Sequence, residues 1–161
     1  MLSVGLIPEN DLLTGTSVAI SPITSGAVVD EYRQTSLPGV FSAGNVLHVH
    51  DLVDNVSEEA FIAGRSAARY AKGELLSSET VTVTPSGGIR YALPQKVHKG
   101  EGKVKIYFRV DKVYKGRTVI VASGDTVLKR KKTLVMAPGE MQNIEIEKSL
   151  INGDLSIFTE E

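Results

Sequence analysis

The chain has 161 residues, 42% of them hydrophobic and 23% charged, with no cysteine and a formal net charge of −1. That balance is ordinary for a globular chain; it excludes a disulfide framework, a cysteine-based zinc site and a dithiol redox centre, and it gives no electrostatic footprint for nucleic acid. No apolar run reaches the ~18–20 residues of a membrane-spanning helix, and the N-terminus lacks the basic flank of a signal peptide, so a cytoplasmic protein with no membrane partner is expected. Charge is unevenly shared: residues 1–75 carry −5 and residues 76–161 carry +4. This shift predicts a domain boundary near residue 75.

Leu2–Leu6 is a short apolar run ended by Ile7-Pro8 and reads as a buried strand. Glu9–Leu13 has the length of one helical turn. Val18–Ile20 is the apolar centre of a Gly/Ser/Thr-rich stretch, and Ala27-Val-Val29 predicts a further short strand before the polar turn Asp30-Glu-Tyr-Arg33. Pro38-Gly39 forms a turn, and Val40–Ala43 reads as a strand that stops on Gly44, where a missing side chain lets a ligand or another backbone approach. Asn45 adds an amide that both donates and accepts. After the loop His48-Val-His-Asp-Leu-Val-Asp54, a helix is expected from about Val56 to Lys72, with Asn55 as N-cap and Glu58 completing a capping box. Val56, Ala60, Ala63, Gly64, Ala67, Ala68 and Ala71 recur at 3–4 spacing on one side, so a partner element must lie close there; Glu58, Glu59, Arg65 and Arg69 populate the rest.

Leu75–Thr80 reads as a linker. Beyond it the period changes to two, most clearly in Val104–Val110, where Val104, Ile106, Phe108 and Val110 face one way and Lys105, Tyr107 and Arg109 the other. Short strands are predicted over Val81–Thr84, Ile89–Leu93, Thr118–Ala122, Thr126–Leu128, Thr133–Met136, Ile144–Glu147 and Leu155–Thr159, punctuated by turns at Ser123-Gly-Asp125, Pro138-Gly139 and Asn152-Gly-Asp154. The pattern predicts an antiparallel β-sandwich of immunoglobulin or fibronectin type over residues 76–161. The basic run Lys129–Lys132 reads as a solvated hairpin or edge strand, where lysines block strand-to-strand aggregation.

Thr35-Ser-Leu-Pro-Gly-Val-Phe-Ser-Ala-Gly-Asn45, followed by the helix segment Ala63-Gly-Arg-Ser-Ala-Ala68, resembles the C-terminal FAD signature of the two-dinucleotide-domain flavoproteins, the pyridine nucleotide–disulfide oxidoreductase superfamily. Gly44-Asn-Val-Leu-His-Val-His-Asp51 looks closest to a subgroup of NAD(P)/FAD-dependent dehydrogenases, and the likeness covers residues 2–72. The resemblance implies that residues 1–75 are the C-terminal portion of an FAD-binding domain, with an α+β fold overall. It implies that Gly44 and Asn45 face the flavin and its ribityl chain, and that the amides of Val56 and Ser57, at the helix start, face the flavin pyrimidine edge. A helix start carries free N–H groups and partial positive charge, which favour electron density on a reduced flavin. In that family the residue after the glycine is usually Asp; Asn45 can make the equivalent hydrogen bond.

The family's N-terminal G-x-G-x-x-G unit, which holds the FAD pyrophosphate, is absent, as is a second one for NAD(P). The expectation is therefore a fragment or subunit of a flavin-dependent oxidoreductase, inactive as this chain alone. A second chain carrying the dinucleotide-binding βαβ units, or self-association, would cover the helix face. The alternative is a non-catalytic interaction subunit whose sandwich docks a partner. His48, His50, Asp51 and Asp54 also suggest metal ligands or a general acid, but the resemblance sets their loop against the flavin, so no metal site and no catalytic residue is assigned.

Overall fold

The computed structural model describes residues 6–74 and 78–161, which divide into two compact units, Met1–Leu76 and Ser77–Glu161. Each is built differently. The expected strand at Leu2–Leu6 and the start of the linker at Leu75 lie outside the described residues. Among the described residues no helix is long and apolar enough to cross a membrane.

The first unit is one helix, α1 (Val53–Ala71), packed against a chain of turns. The strands expected at Ala27–Val29 and Val40–Ala43 are single bridges rather than ladders: Ile20 faces Ala27, Val29 faces Thr35, and Gln34 faces Phe41. Polar side chains complete what a sheet would otherwise supply. Asn10 Nδ2 donates to the carbonyls of Ser25 and Val46, at 2.8 and 2.9 Å. Asp30 Oδ1 accepts from the amides of Tyr32 and Gln34. Gly26 has no room for a side chain, because a Cβ there would stand 1.8 Å from the Leu47 carbonyl oxygen. Buried apolar side chains are few and mostly small: Val18, Ala27, Val29, Leu47 and Ala63.

The helix differs from expectation at both its start and its faces. It begins three residues earlier than Val56, with Leu52 in the N-cap position and no side-chain cap, so Asn55 and Glu58 form no capping box. The inward face runs through Val56, Glu59, Ala63 and Ser66, while Ala60, Gly64, Ala68 and Ala71 are exposed. Glu59, placed by its sequence position on the solvent side, is buried. The physical reason is tertiary: interior donors bind its carboxylate, and this sets the rotation of the helix.

The second unit is a two-sheet, sandwich-like arrangement of eight strands: β1 (Thr80–Pro85), β2 (Ile89–Leu93), β3 (Lys96–His98), β4 (Lys103–Val110), β5 (Tyr114–Ser123), β6 (Thr126–Met136), β7 (Gln142–Glu147) and β8 (Leu155–Glu160). One sheet has the order β3-β1-β8-β5-β6 and the other β2-β4-β7. Their inner residues form a single core, with Val83, Val119, Val121 and Ile157 from the first sheet meeting Ile106, Phe108, Val110 and Ile144 from the second.

Three details depart from the sequence reading. Pairing is antiparallel except between β1 and β8, which run parallel over Val83–Pro85 and Leu155–Ile157; they are the first and last strands of the unit, so the rest of the unit provides the long connection a parallel pair requires. The segments Thr126–Leu128 and Thr133–Met136 belong to one continuous strand, with Lys129–Lys132 at its centre on the edge of the larger sheet. Tyr107 is buried rather than solvent-facing: the Lys105 ammonium lies over its ring at 5.6 Å, and Arg109 Nη1 reaches across to the carbonyls of Pro138 and Gly139.

These cores predict separate responses to mutation. Phe108→Ala should destabilise the second unit by about 3–5 kcal/mol, and Gly26→Ala should destabilise the first by more than about 2 kcal/mol through displaced backbone. Amide hydrogen exchange read residue by residue checks both: protection should fall in the strands for the first substitution and in α1 for the second.

Candidate functional site

Gly44, Arg33 and the two loop histidines converge on one side chain that sequence reading placed at the surface. Glu59 projects from the second turn of α1 into the loop that carries Gly44–His50. Its Oε1 accepts from Arg33 Nε at 2.9 Å. Its Oε2 accepts from the Gly44 amide at 2.8 Å and pairs with His50 Nε2 at 3.0 Å. His48 Nε2 stands 3.4 Å from Oε1. The side chains of all four charged or titratable residues are 1–3% exposed. The two imidazole rings lie against one another with centroids 4.2 Å apart.

Local sequence explains how each group arrives. The Arg33 amide closes a turn on the Asp30 carbonyl, and Arg33 itself takes a left-handed backbone (φ 66°), uncommon for a residue with a side chain. That conformation turns the guanidinium inward. Gly44 also has positive φ, 75°, and opens a short 3-10 turn over Gly44–Val46; the glycine is required by that backbone. After that turn His48 and His50 both direct Nε2 at Glu59 on the helix.

Of the residues expected to face a flavin, Gly44 and Asn45 lie beside the start of α1. Asn45 is exposed, and its Oδ1 accepts from the His50 amide at 3.1 Å, which leaves Nδ2 to donate. Val56 packs on Gly44, its Cγ1 3.4 Å from where a Cβ on Gly44 would sit. Because the helix starts at Val53, Val56 and Ser57 lie past the free amides of the helix start; the Asn55 amide donates to the Leu52 carbonyl at 3.2 Å, which leaves those of Val53 and Asp54 outside the helix ladder. Asp51 and Asp54 are exposed and outside the cluster. On the other side of the Gly44 turn is a cavity of about 300 Å³, lined by Leu12, Leu13, Phe41, Ala43 and Val46 with Ser42 among them.

Electrostatically the cluster is balanced. Burial pushes the Glu59 carboxyl up, but hydrogen bonds from His48 and His50 and the charge of Arg33 outweigh burial and hold it well below the usual carboxylate range. Burial pushes His48 below its ordinary value of 6.5 and outweighs the opposing pull of Glu59. The resting arrangement is thus a carboxylate anion, a guanidinium and a neutral His48 imidazole. A carboxylate flanked by two imidazole nitrogens also has the donor set of a metal centre.

No family model, no curated protein and no solved structure matches the chain.

Two outcomes follow from the geometry. Arg33→Met or Glu59→Leu alone should cost roughly 3–5 kcal/mol, because each strands a buried charge, whereas the double substitution should recover much of the loss; chemical denaturation of the four proteins in a cycle measures the coupling. The second concerns pH. The folded-state value of His48 is below 6.5, so its contribution to stability is complete above that value and is lost as pH falls below it. Glu59 acts in the same direction further into acid, below its ordinary 4.5. In the presence of a chelator, melting of the first unit should therefore fall as pH is lowered through about 6.5, and His48→Asn should flatten that part of the profile.

Proposed function

We propose that this chain supplies the flavin-facing edge of an FAD site in a flavin-dependent oxidoreductase, which moves a hydride between a nicotinamide and FAD and passes electrons to a further acceptor. The observation that carries the reading is the Gly44 turn. The Thr35–Ala43 segment stops on a left-handed glycine, the glycine amide is tied to α1 through Glu59, and the residues on either side of it, Ala43 and Val46 among them, line a cavity of mixed polarity with Asn10 and Phe41. The flavoprotein signature has the same order of turn, glycine and helix, and this order supports the reading.

Asn45 sharpens the chemistry. With Oδ1 engaged by the His50 amide, the side chain offers a donor, so it meets a ligand hydroxyl or carbonyl as an acceptor. An acidic residue in its place would instead accept. The amides of Val53 and Asp54 at the helix start add partial positive charge for the pyrimidine edge of a reduced ring. The redox chemistry belongs to the cofactor; these residues bind and orient it.

The phosphate-facing half of the site is assigned to a βαβ unit with G-x-G-x-x-G, which these 161 residues do not contain. Exposure supports a covering partner: Phe61 is 70% exposed one turn before the open Gly64, which has nothing within 4 Å of a Cβ position, and Val53 at the helix start is 76% exposed. For residues 78–161 we propose an immunoglobulin- or fibronectin-like sandwich serving as a docking module. The same exposed surface fits a non-catalytic interaction subunit, and the flavin separates the two readings.

Purified alone, the chain should bind FAD weakly and appear colourless. Co-expressed with a polypeptide that carries G-x-G-x-x-G and lacks the Gly44-type signature, it should co-purify with a flavin absorption spectrum, and Gly44→Val should bleach the complex. A stable but colourless complex would favour the interaction subunit.

A further inference from the structure

We propose that His48, His50 and Glu59 form a buried binding site for one divalent transition-metal ion of the zinc class. Among the described residues this is the group of histidine and carboxylate side chains whose ligand atoms all lie within 4.8 Å of one another. The separations fit an ion. Ligand bonds of about 2.0–2.1 Å in tetrahedral geometry set neighbouring donor atoms a little over 3 Å apart, and His50 Nε2 lies 3.0 Å from Glu59 Oε2 and His48 Nε2 3.4 Å from Glu59 Oε1. Two imidazole nitrogens and one carboxylate oxygen supply three donors from the protein, and a single water in the fourth position completes a four-coordinate ion.

The surroundings supply the outer contacts that a ligating carboxylate needs. Arg33 Nε holds Oε1 and the Gly44 amide holds Oε2. Each oxygen has two lone pairs, so either has one left for the ion. Arg33 also keeps the carboxylate ionised, which is the ligating form. The donor set selects the metal: two imidazoles favour zinc, copper, nickel or iron over magnesium and calcium, and 1–3% exposure leaves no place for the several waters magnesium retains. His50 Nδ1 is buried without a hydrogen-bond partner.

The ion would join the loop to the helix at the point where the hydrogen bonds already do, and it uses atoms other than those assigned to flavin. It therefore stands or falls independently of the proposed function.

The test uses the full chain, stripped of metal by a chelator and dialysed. Titration with cobalt(II) should produce the visible bands of a four-coordinate ion, saturating at about one equivalent and bleached by added zinc. Zinc should raise the melting temperature of the first unit. His50→Gln should abolish the bands, and Asp51→Asn and Asp54→Asn, which alter exposed acids of the same loop, should not. Nitrogen-15 spectra of the histidine rings need no variant: zinc should shift the Nε2 resonances of two of the three histidines and leave His98 unchanged. Absence of cobalt bands, bands that survive His50→Gln, or unmoved resonances for His48 and His50 would overturn the site and leave the cluster as an ion pair between Glu59 and Arg33 with its two flanking histidines.

Discussion

The buried carboxylate of Glu59 is the interaction on which the first unit depends. Desolvating it costs several kcal/mol, and only a full set of donors offsets that cost. The donors come from three places far apart in sequence: Arg33 in a turn, Gly44 at the start of a 3-10 turn, and the two histidines of the following loop. A buried ion pair is close to neutral against a well-packed apolar alternative, so its contribution here is positional. It fixes the rotation of α1 and, through the Gly44 amide, the place where the Thr35–Ala43 segment ends.

The two units solve stability differently. Residues 78–161 bury a continuous apolar core between two sheets, with one side of each strand committed to it. Their long edge strand β6 is protected by charge: Lys129 and Lys131 pair across from Val121 and Val119, which face the core, so both lysines emerge at the rim of the inner face. Lys131 Nζ is bonded there to the Asn143 carbonyl of β7. Inward-placed lysines at an open edge discourage pairing with another strand. The first unit has no such core. Among its described residues five modest apolar side chains are buried, and directed polar ties such as Asn10, Asp30 and Glu59 replace the missing area.

How much was legible follows from that contrast. In the second unit the alternation of Val104, Ile106, Phe108 and Val110 stated which side was inward, and all four are buried. Lys96–His98 is too short to show a period, and the basic run masked the alternation of β6 because charged side chains occupy positions an edge makes tolerable. In the first unit a period marks only apolar faces. Glu59 sits next to Glu58 on a helix rich in charge, and nothing local distinguishes the one that turns inward. Arg33 lies in a run of turn residues, which normally point to solvent. The pair His48 and His50 was visible as a spacing, yet its third member is on a different element, and only the packing of loop on helix unites them.

The same economy couples structure to chemistry. The residues that place the Gly44 turn also hold the unit together, so the turn cannot be moved without loosening α1. The atoms nonetheless divide into separate sets. Glu59 and the imidazole Nε2 atoms face one another in the interior, while the Asn45 amide and the cavity beside Phe41 open outward. An ion on the inner set would stiffen the loop that the outer set presents, and removing Glu59 would disturb both. Asn45, by contrast, touches only the outer set and the His50 backbone. It is the position at which ligand chemistry can change while the interior tie stays intact.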